Sequence, residues 1–161
     1  MSWVLHRVDD RLIHGQVLVA WGQRLSPDRI WVVDDGVAAS DWERDLFRDS
    51  APDIEVRIAN VAEAVAAHAT EAAAGGRAFL LVRDLATARR LVEGGATAGD
   101  WNIGGLHYAP GKDKVSDYVY LDAADRDDAR ALLRAGVGLV VQDVPASRPQ
   151  TLGSMDAALA S

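Results

Sequence analysis

The chain has 161 residues, no cysteine, a formal net charge of −7 and a sequence pI near 5.0. That length fits one domain, residues 1–161, with a sizeable core. The acidic balance excludes a general electrostatic attraction to nucleic acid or anionic lipid, and the absence of cysteine excludes disulfide and thiolate chemistry. No apolar run reaches the ~18 residues of a membrane-spanning helix, and the N-terminus lacks the basic start and apolar block of a secretory signal. A cytoplasmic protein without direct membrane insertion is expected.

Trp3 to Val8 alternates as a strand does. Gln16 to Arg24 reads as a short helix with Val17, Leu18 and Trp21 on one face. Ser26-Pro27-Asp28 is a turn, followed by a second strand from Arg29 to Val33. Asp34-Asp35-Gly36 lies in the next strand-to-helix loop, and a helix is predicted over 38–49 with Trp42, Leu46 and Phe47 at helical spacing. Ile54 to Ala59 is a third strand, and Asn60 caps an alanine-rich helix that Gly75-Gly76 stops. Ala78 to Val82 is wholly apolar, as in a parallel strand covered on both faces. Asp84 to Glu93 reads as a helix, and Asn102 to Leu106 as a short strand running into a glycine-rich loop. Tyr118 to Leu121 is a strand, Asp122 or Asp125 starts a helix through Arg134, and Val137 to Gln142 is a strand. A last helix is expected from about Pro149 to Leu159.

This alternation predicts a three-layer α/β/α domain around a mainly parallel, doubly wound sheet. Such sheets bind ligands at the carboxyl ends of their strands. His14, Asp34-Asp35, Arg83-Asp84 and Gly104-Gly105 all lie at or just after strand ends.

The segment Arg7-Val8-Asp9-Asp10-Arg11-Leu12-Ile13-His14-Gly15-Gln16-Val17 puts an imidazole, two arginines and two carboxylates beside a helix start. A neutral imidazole is a good nucleophile near pH 7 and can accept a phosphoryl group. Phosphoryl transfer needs mainly positioning and charge stabilisation. Arg11 offers a forked donor, and backbone N–H groups at Gly15, Gln16 and Val17 offer more. Glycine after the histidine lets another molecule come close, and Asp9 or Asp10 can hold the imidazole or orient an arginine. On spacing alone, a histidine at a helix start is more often an ordinary cap or surface residue.

The same segment closely resembles the active-site segment of the mannose/fructose/sorbose-family IIB components of the bacterial sugar phosphotransferase system (PTS). Three further stretches resemble that family: Val32-Val33-Asp34-Asp35-Gly36-Val37-Ala38, Asn102-Ile103-Gly104-Gly105-Leu106 and Val140-Val141-Gln142-Asp143-Val144-Pro145. The resemblance implies that His14 takes phosphate on Nδ1 from a phosphohistidine of a IIA protein. It then passes the group to a sugar held by membrane components IIC and IID. Arg11 matches the assisting arginine. Asp10, Arg7, Gly15 and Gln16 are candidates for binding or orienting phosphate, and Asp35, Gly104 and Gly105 are candidates for the rim. No metal, nucleotide or organic cofactor is implied. Asp34, Gly36, Ala39-Ser40 and residues 107–114 depart from the family's usual pattern.

A regulatory phosphocarrier or binding module of the same fold, without sugar transport, fits the same residues. A receiver-like domain with Asp35 as acceptor fits less well, because the lysines, Lys112 and Lys114, fall in a loop. His107 reads as an exposed loop residue beside the double glycine, His6 as packed or partly exposed, and His68 as a surface residue.

Overall fold

The computed structural model describes residues 2–97 and 99–160. Strand β1 (Ser2–Asp9) leads to a helix that begins as a π-helical segment, Gln16–Trp21, and continues as a short α-helix, Gly22–Leu25; together these are α1. The chain continues through β2 (Arg29–Val33), α2 (Asp35–Ala38), α3 (Asp41–Ser50), β3 (Glu55–Ala59), α4 (Val61–Ala73), β4 (Arg77–Val82), α5 (Leu85–Glu93) and β5 (Trp101–Gly105). A hairpin of β6 (Asp113–Ser116) and β7 (Val119–Leu121) precedes α6 (Ala123–Arg134), β8 (Leu139–Val141), β9 (Gln150–Thr151), α7 (Leu152–Met155) and a 3-10 turn, Ala157–Ala160.

The strands form a seven-stranded sheet in the order β3-β2-β4-β1-β5-β8-β9, parallel throughout except for β9. Side chains alternate between two cores, because successive residues of a strand point to opposite faces. Ile30, Val32, Phe79 and Leu81 pack with Val17, Trp21, Val37 and Phe47 beneath α1, α2 and α3. Trp31, Val33, Leu80 and Val82 pack with Ala64, Leu91 and Leu132 beneath α4, α5 and α6. The expected three-layer, mainly parallel α/β/α domain is therefore the one found.

Helix starts follow capping chemistry, in which a side-chain oxygen accepts an otherwise unpaired N–H of the first turn. Asp34, Ser40, Asn60, Asp84 and Asp122 each accept from the backbone three residues on, and Asp122 and Asp125 form a reciprocal capping box. The caps at Asp34 and Ser40 explain one departure from the sequence reading. The helix expected over 38–49 is two helices, α2 and α3, with Ser40 starting the second. Of its expected apolar face only Phe47 is buried, while Trp42 is 71% exposed.

The C-terminal segment departs further. In place of one helix from about Pro149 to Leu159, β9 closes the sheet edge antiparallel to β8, and α7 lasts four residues. Gly153 weakens helix propensity there. Asp156 ends the helix by turning its carboxylate onto the Ala158 N–H, while Arg126 holds the other carboxylate oxygen at 2.8 Å. The short strand expected over 102–106 is β5; Gly104 and Gly105 are its last two residues and are buried.

Leu81 is fully buried on β4, between β2 and β1. Leu81→Ala should cost about 3 kcal/mol in chemical denaturation, the range for a buried leucine that leaves a cavity. Trp42→Ala should stay within about 0.5 kcal/mol.

Candidate functional site

The parallel sheet brings the carboxyl end of β1 to the middle of one edge, flanked by β4 and β5. The pairing of β1 with β5 runs Arg7 to Asn102 and Val8 to Ile103, then skips Gly104 so that Asp9 meets Gly105. This bulge is what the site is built on. Bulges re-aim side chains where they occur, and here the extra residue has no side chain.

The Arg7 guanidinium fills that space. A Cβ on Gly104 would lie 1.8 Å from Arg7 Nη2. Arg7 is fully buried. Nη1 donates to the Asn102 side-chain oxygen and, at 2.9 Å, to the Gln142 carbonyl; Nη2 donates at 2.9 Å to the Asp143 carbonyl and at 3.3 Å to Asp9 Oδ2. The Trp21 ring lies 5.2 Å from the guanidinium carbon, and its indole N–H donates to the same Asp143 carbonyl at 3.0 Å. Burial pushes the Arg7 pKa down, and the Asp9 carboxylate works against that shift. Arg7 therefore orients its neighbours; with no exposed surface it does not reach a ligand outside.

Asp9 is also fully buried and is the hub. Its Oδ1 accepts the Arg11 backbone N–H at 3.1 Å and Arg11 Nε at 2.9 Å, and its Oδ2 accepts Arg11 Nη2 at 2.9 Å. This forked pair holds Arg11 charged: the hydrogen bond to Asp9 raises its pKa above the usual value. Arg11 Nη2 also reaches Gln16 Oε1 at 3.1 Å, so Gln16 positions the arginine. Arg11 remains one-third exposed, and among the described residues its Nη1 meets no acceptor. Of the two carboxylates that the sequence leaves open for this task, Asp9 holds Arg11 and faces the imidazole. Asp10 turns the other way, to His107.

The connection from Asp9 to His14 is a tight turn closed by the Leu12 N–H on the Asp9 carbonyl at 2.9 Å. Leu12 has φ +57, a left-handed conformation unusual for a residue with a branched side chain. It sends the leucine side chain into the core, fully buried. His14 Nδ1 lies 3.0 Å from the Leu12 carbonyl, which can only accept, so Nδ1 carries the proton. His14 Nε2 is buried without a hydrogen-bond partner and faces Asp9 Oδ2 at 3.6 Å. Gly15 is exposed, and a Cβ there would meet nothing within 4 Å. Gly15 has no side chain to cap the helix that follows, so the first N–H groups have no side-chain acceptor.

Gly105 is the floor on the other side. A Cβ there would be 3.1 Å from His107 Cε1, 3.2 Å from Arg11 Nη2 and 3.3 Å from Asp9 Oδ1. Three side chains from three positions converge above this glycine. His107, assigned to an exposed loop from the sequence, is fastened to Asp10 through both its backbone N–H (2.8 Å) and Nδ1 (2.6 Å).

Asp35 stands over β2, two strands from β1. Its Oδ1 accepts the Val61 N–H at 3.0 Å and its Oδ2 accepts Arg90 at 2.8 Å; the Val61 N–H first, and Arg90 next, hold its carboxyl below the usual range. These bonds tie α2 to α4 and α5, and none joins Asp35 to the group around His14.

The shell around Arg7 — Trp21, Asn102, Gln142 and Asp143 — has no signal as chemistry in the sequence. It shows only as short stretches near strand ends, because its work is to accept hydrogen bonds from a buried arginine or, for Trp21, to cover it.

The family model described as the PTS system sorbose subfamily IIB component matches residues 3–159. The N-acetylgalactosamine-specific phosphotransferase enzyme IIB component 1 of Escherichia coli (strain K12) is 34% identical over 151 residues, which cover 92% of this chain and 95% of that protein. The mannose-specific EIIAB component of the same strain is 36% identical over 141 residues, 87% of this chain and 44% of that longer protein. The crystal structure of the IIBSor domain of the sorbose permease from Klebsiella pneumoniae superposes with a TM-score of 0.89 at 30% identity, covering 96% of each chain.

Gly104→Ala should cost about 3 kcal/mol or more, because the new methyl displaces a buried guanidinium whose two terminal nitrogens are hydrogen-bonded. Denaturation of the variant against the unaltered protein checks this.

Proposed function

The chain belongs to the sorbose subfamily of PTS IIB components, phosphotransferase subunits of sugar uptake systems, and we propose that its phosphoryl carrier is His14. A IIA phosphohistidine is the donor, and a sugar presented by membrane components IIC and IID is the acceptor. The observation that carries this reading is the arrangement of His14 against Asp9, with Arg11 in a forked bond to the same carboxylate and open space above Gly15. The EIIAB relative, in which a IIA and a IIB component share one chain by its name, supports a IIA partner for this one. No helix of the described residues is long and apolar enough to cross a membrane; in this reading the protein meets IIC and IID from the cytoplasmic side.

The residues divide the work. In the resting position Nδ1–H points at the Leu12 carbonyl, so that nitrogen cannot attack. A turn of the ring frees Nδ1, whose proton exchanges through solvent to Nε2, and the Nε2–H then lies beside the Asp9 carboxylate. The Nδ1 lone pair then attacks phosphorus. The donor's P–N bond breaks, its electron pair returns to the donor's imidazole, and the positive charge of the phosphorylated ring passes from the donor to His14. Arg11 Nη1 and the N–H groups of Gly15, Gln16 and Val17 stabilise the equatorial oxygens. Asp9 supports the positive charge that the ring carries while phosphate is bound.

His14→Ala should abolish acid-labile labelling by phosphoenolpyruvate, the upstream phosphocarriers and purified IIA; label retained on that variant overturns the assignment. Gly15→Ala fits the backbone without a clash and should leave stability within about 0.5 kcal/mol. Its methyl stands where a partner must approach, so labelling of His14 should slow while the denaturation midpoint holds.

A further inference from the structure

Transfer to a sugar differs from transfer between imidazoles in one respect: the attacking hydroxyl must give up a proton. We propose that His107 is the general base that takes this proton as the phosphoryl group leaves His14. The proposal rests on the reading of His14 as the phosphoryl carrier.

Few groups around the site have a lone pair to offer. Asp9 is fully buried, and both its oxygens accept from Arg11. Asp10 has both oxygens engaged by His107. Arg11 is held charged by Asp9. Lys112 donates to Asp125 at 2.7 Å; burial disfavours its ammonium, yet Asp125, then Asp122 and Asp10, hold its pKa above the ordinary value.

His107 is different. Its Nδ1 lies 2.6 Å from a carboxylate oxygen, so Nδ1 carries the proton and Nε2 carries the lone pair. This is how a carboxylate fixes the tautomer and orientation of a catalytic imidazole. The side chain is about half exposed, at 49%, and among the described residues no hydrogen bond occupies Nε2. The ring edge sits above Gly105, where Arg11 Nη2 also arrives. The backbone N–H of His107 already anchors the loop to Asp10 Oδ2, so the ring contact is not needed to hold the chain in place.

The step balances. The hydroxyl oxygen forms the new O–P bond, and the N–P bond to His14 breaks, its electron pair returning to the imidazole. The hydroxyl proton passes to His107 Nε2 and then to solvent, while Asp10 supports the charged ring. Asp10, which binds the ring, and Arg11 and Asp9, which meet it above Gly105, are the charged groups that face it; Lys112 bears on it through Asp10.

The two half-reactions separate the roles. Loading of His14 from IIA releases no hydroxyl proton; discharge to sugar does. With the full chain, loaded IIA, and membrane vesicles carrying IIC and IID, His107→Gln should slow discharge by ~100-fold or more. Loading should change by less than about threefold. The acid limb in the pH profile of discharge should vanish in the variant. His107→Asn, smaller and polar, serves as the second variant, with its denaturation midpoint compared with that of the unaltered protein. Equal slowing of both steps, or normal discharge, overturns the role of His107. Failure of the unaltered protein to load His14 overturns the underlying reading instead.

Discussion

The site depends on one buried ion pair, Arg7 with Asp9. Taking both charges out of water costs several kcal/mol each before any gain is counted. The fold offsets that cost with acceptors from separate parts of the chain: the Asn102 side chain on β5 and the Gln142 and Asp143 carbonyls after β8. Trp21 from α1 covers the guanidinium and shares the Asp143 carbonyl. A single arginine thus ties β1, α1, β5 and the chain beyond β8 together. The bulge at Gly104 is the geometric condition for this, because any side chain there would occupy the guanidinium's place.

The value of the pair lies in what it fixes, since an isolated buried ion pair is weak evidence of stability. Asp9 held from below by Arg7 has a set orientation, and it uses that orientation to hold Arg11 in a fork and to face His14. Arg11 is thereby preorganised and loses little freedom when an anion arrives. Consecutive residues then separate two imidazoles. Asp9 faces His14, while Asp10 faces His107, and Gly105 lies beneath Asp9, Arg11 and His107. The double glycine thus does two unlike jobs: Gly104 makes room for a buried arginine, and Gly105 lets polar groups converge.

Much of this was legible in the sequence. Apolar strands such as Ala78-Phe79-Leu80-Leu81-Val82 announce a sheet covered on both faces, and Asn60 and Asp84 announce helix starts through short-range chemistry. The segment from Arg7 to Val17 announces the site because its chemistry is local. The missed elements depend on distant partners. Strand β9 exists because the edge of β8 offers a backbone to pair with, and α7 ends where Asp156 meets Arg126. The roles of Asp9 and Asp10 were left open because neighbouring residues on an irregular turn point in directions that only the bulge decides. His107 looked like an ordinary loop residue because its partner lies 97 positions away.

The turn after β1 carries a last constraint. Leu12 takes a backbone conformation that costs of order 1 kcal/mol or more for such a residue. Burial of its side chain stabilises by roughly 2 kcal/mol, enough to offset that cost. The strained turn brings the Leu12 carbonyl round to meet His14 Nδ1. With Nε2 buried, both nitrogens are then withheld from solvent. Releasing the ring breaks one hydrogen bond, a net cost of about 1 kcal/mol. That is far below the several kcal/mol that a docked partner and three oriented phosphoryl oxygens can supply. In the proposed role, a histidine kept this way stays closed to small solutes yet opens at little expense to a molecule large enough to cover Gly15 and engage Arg11 together.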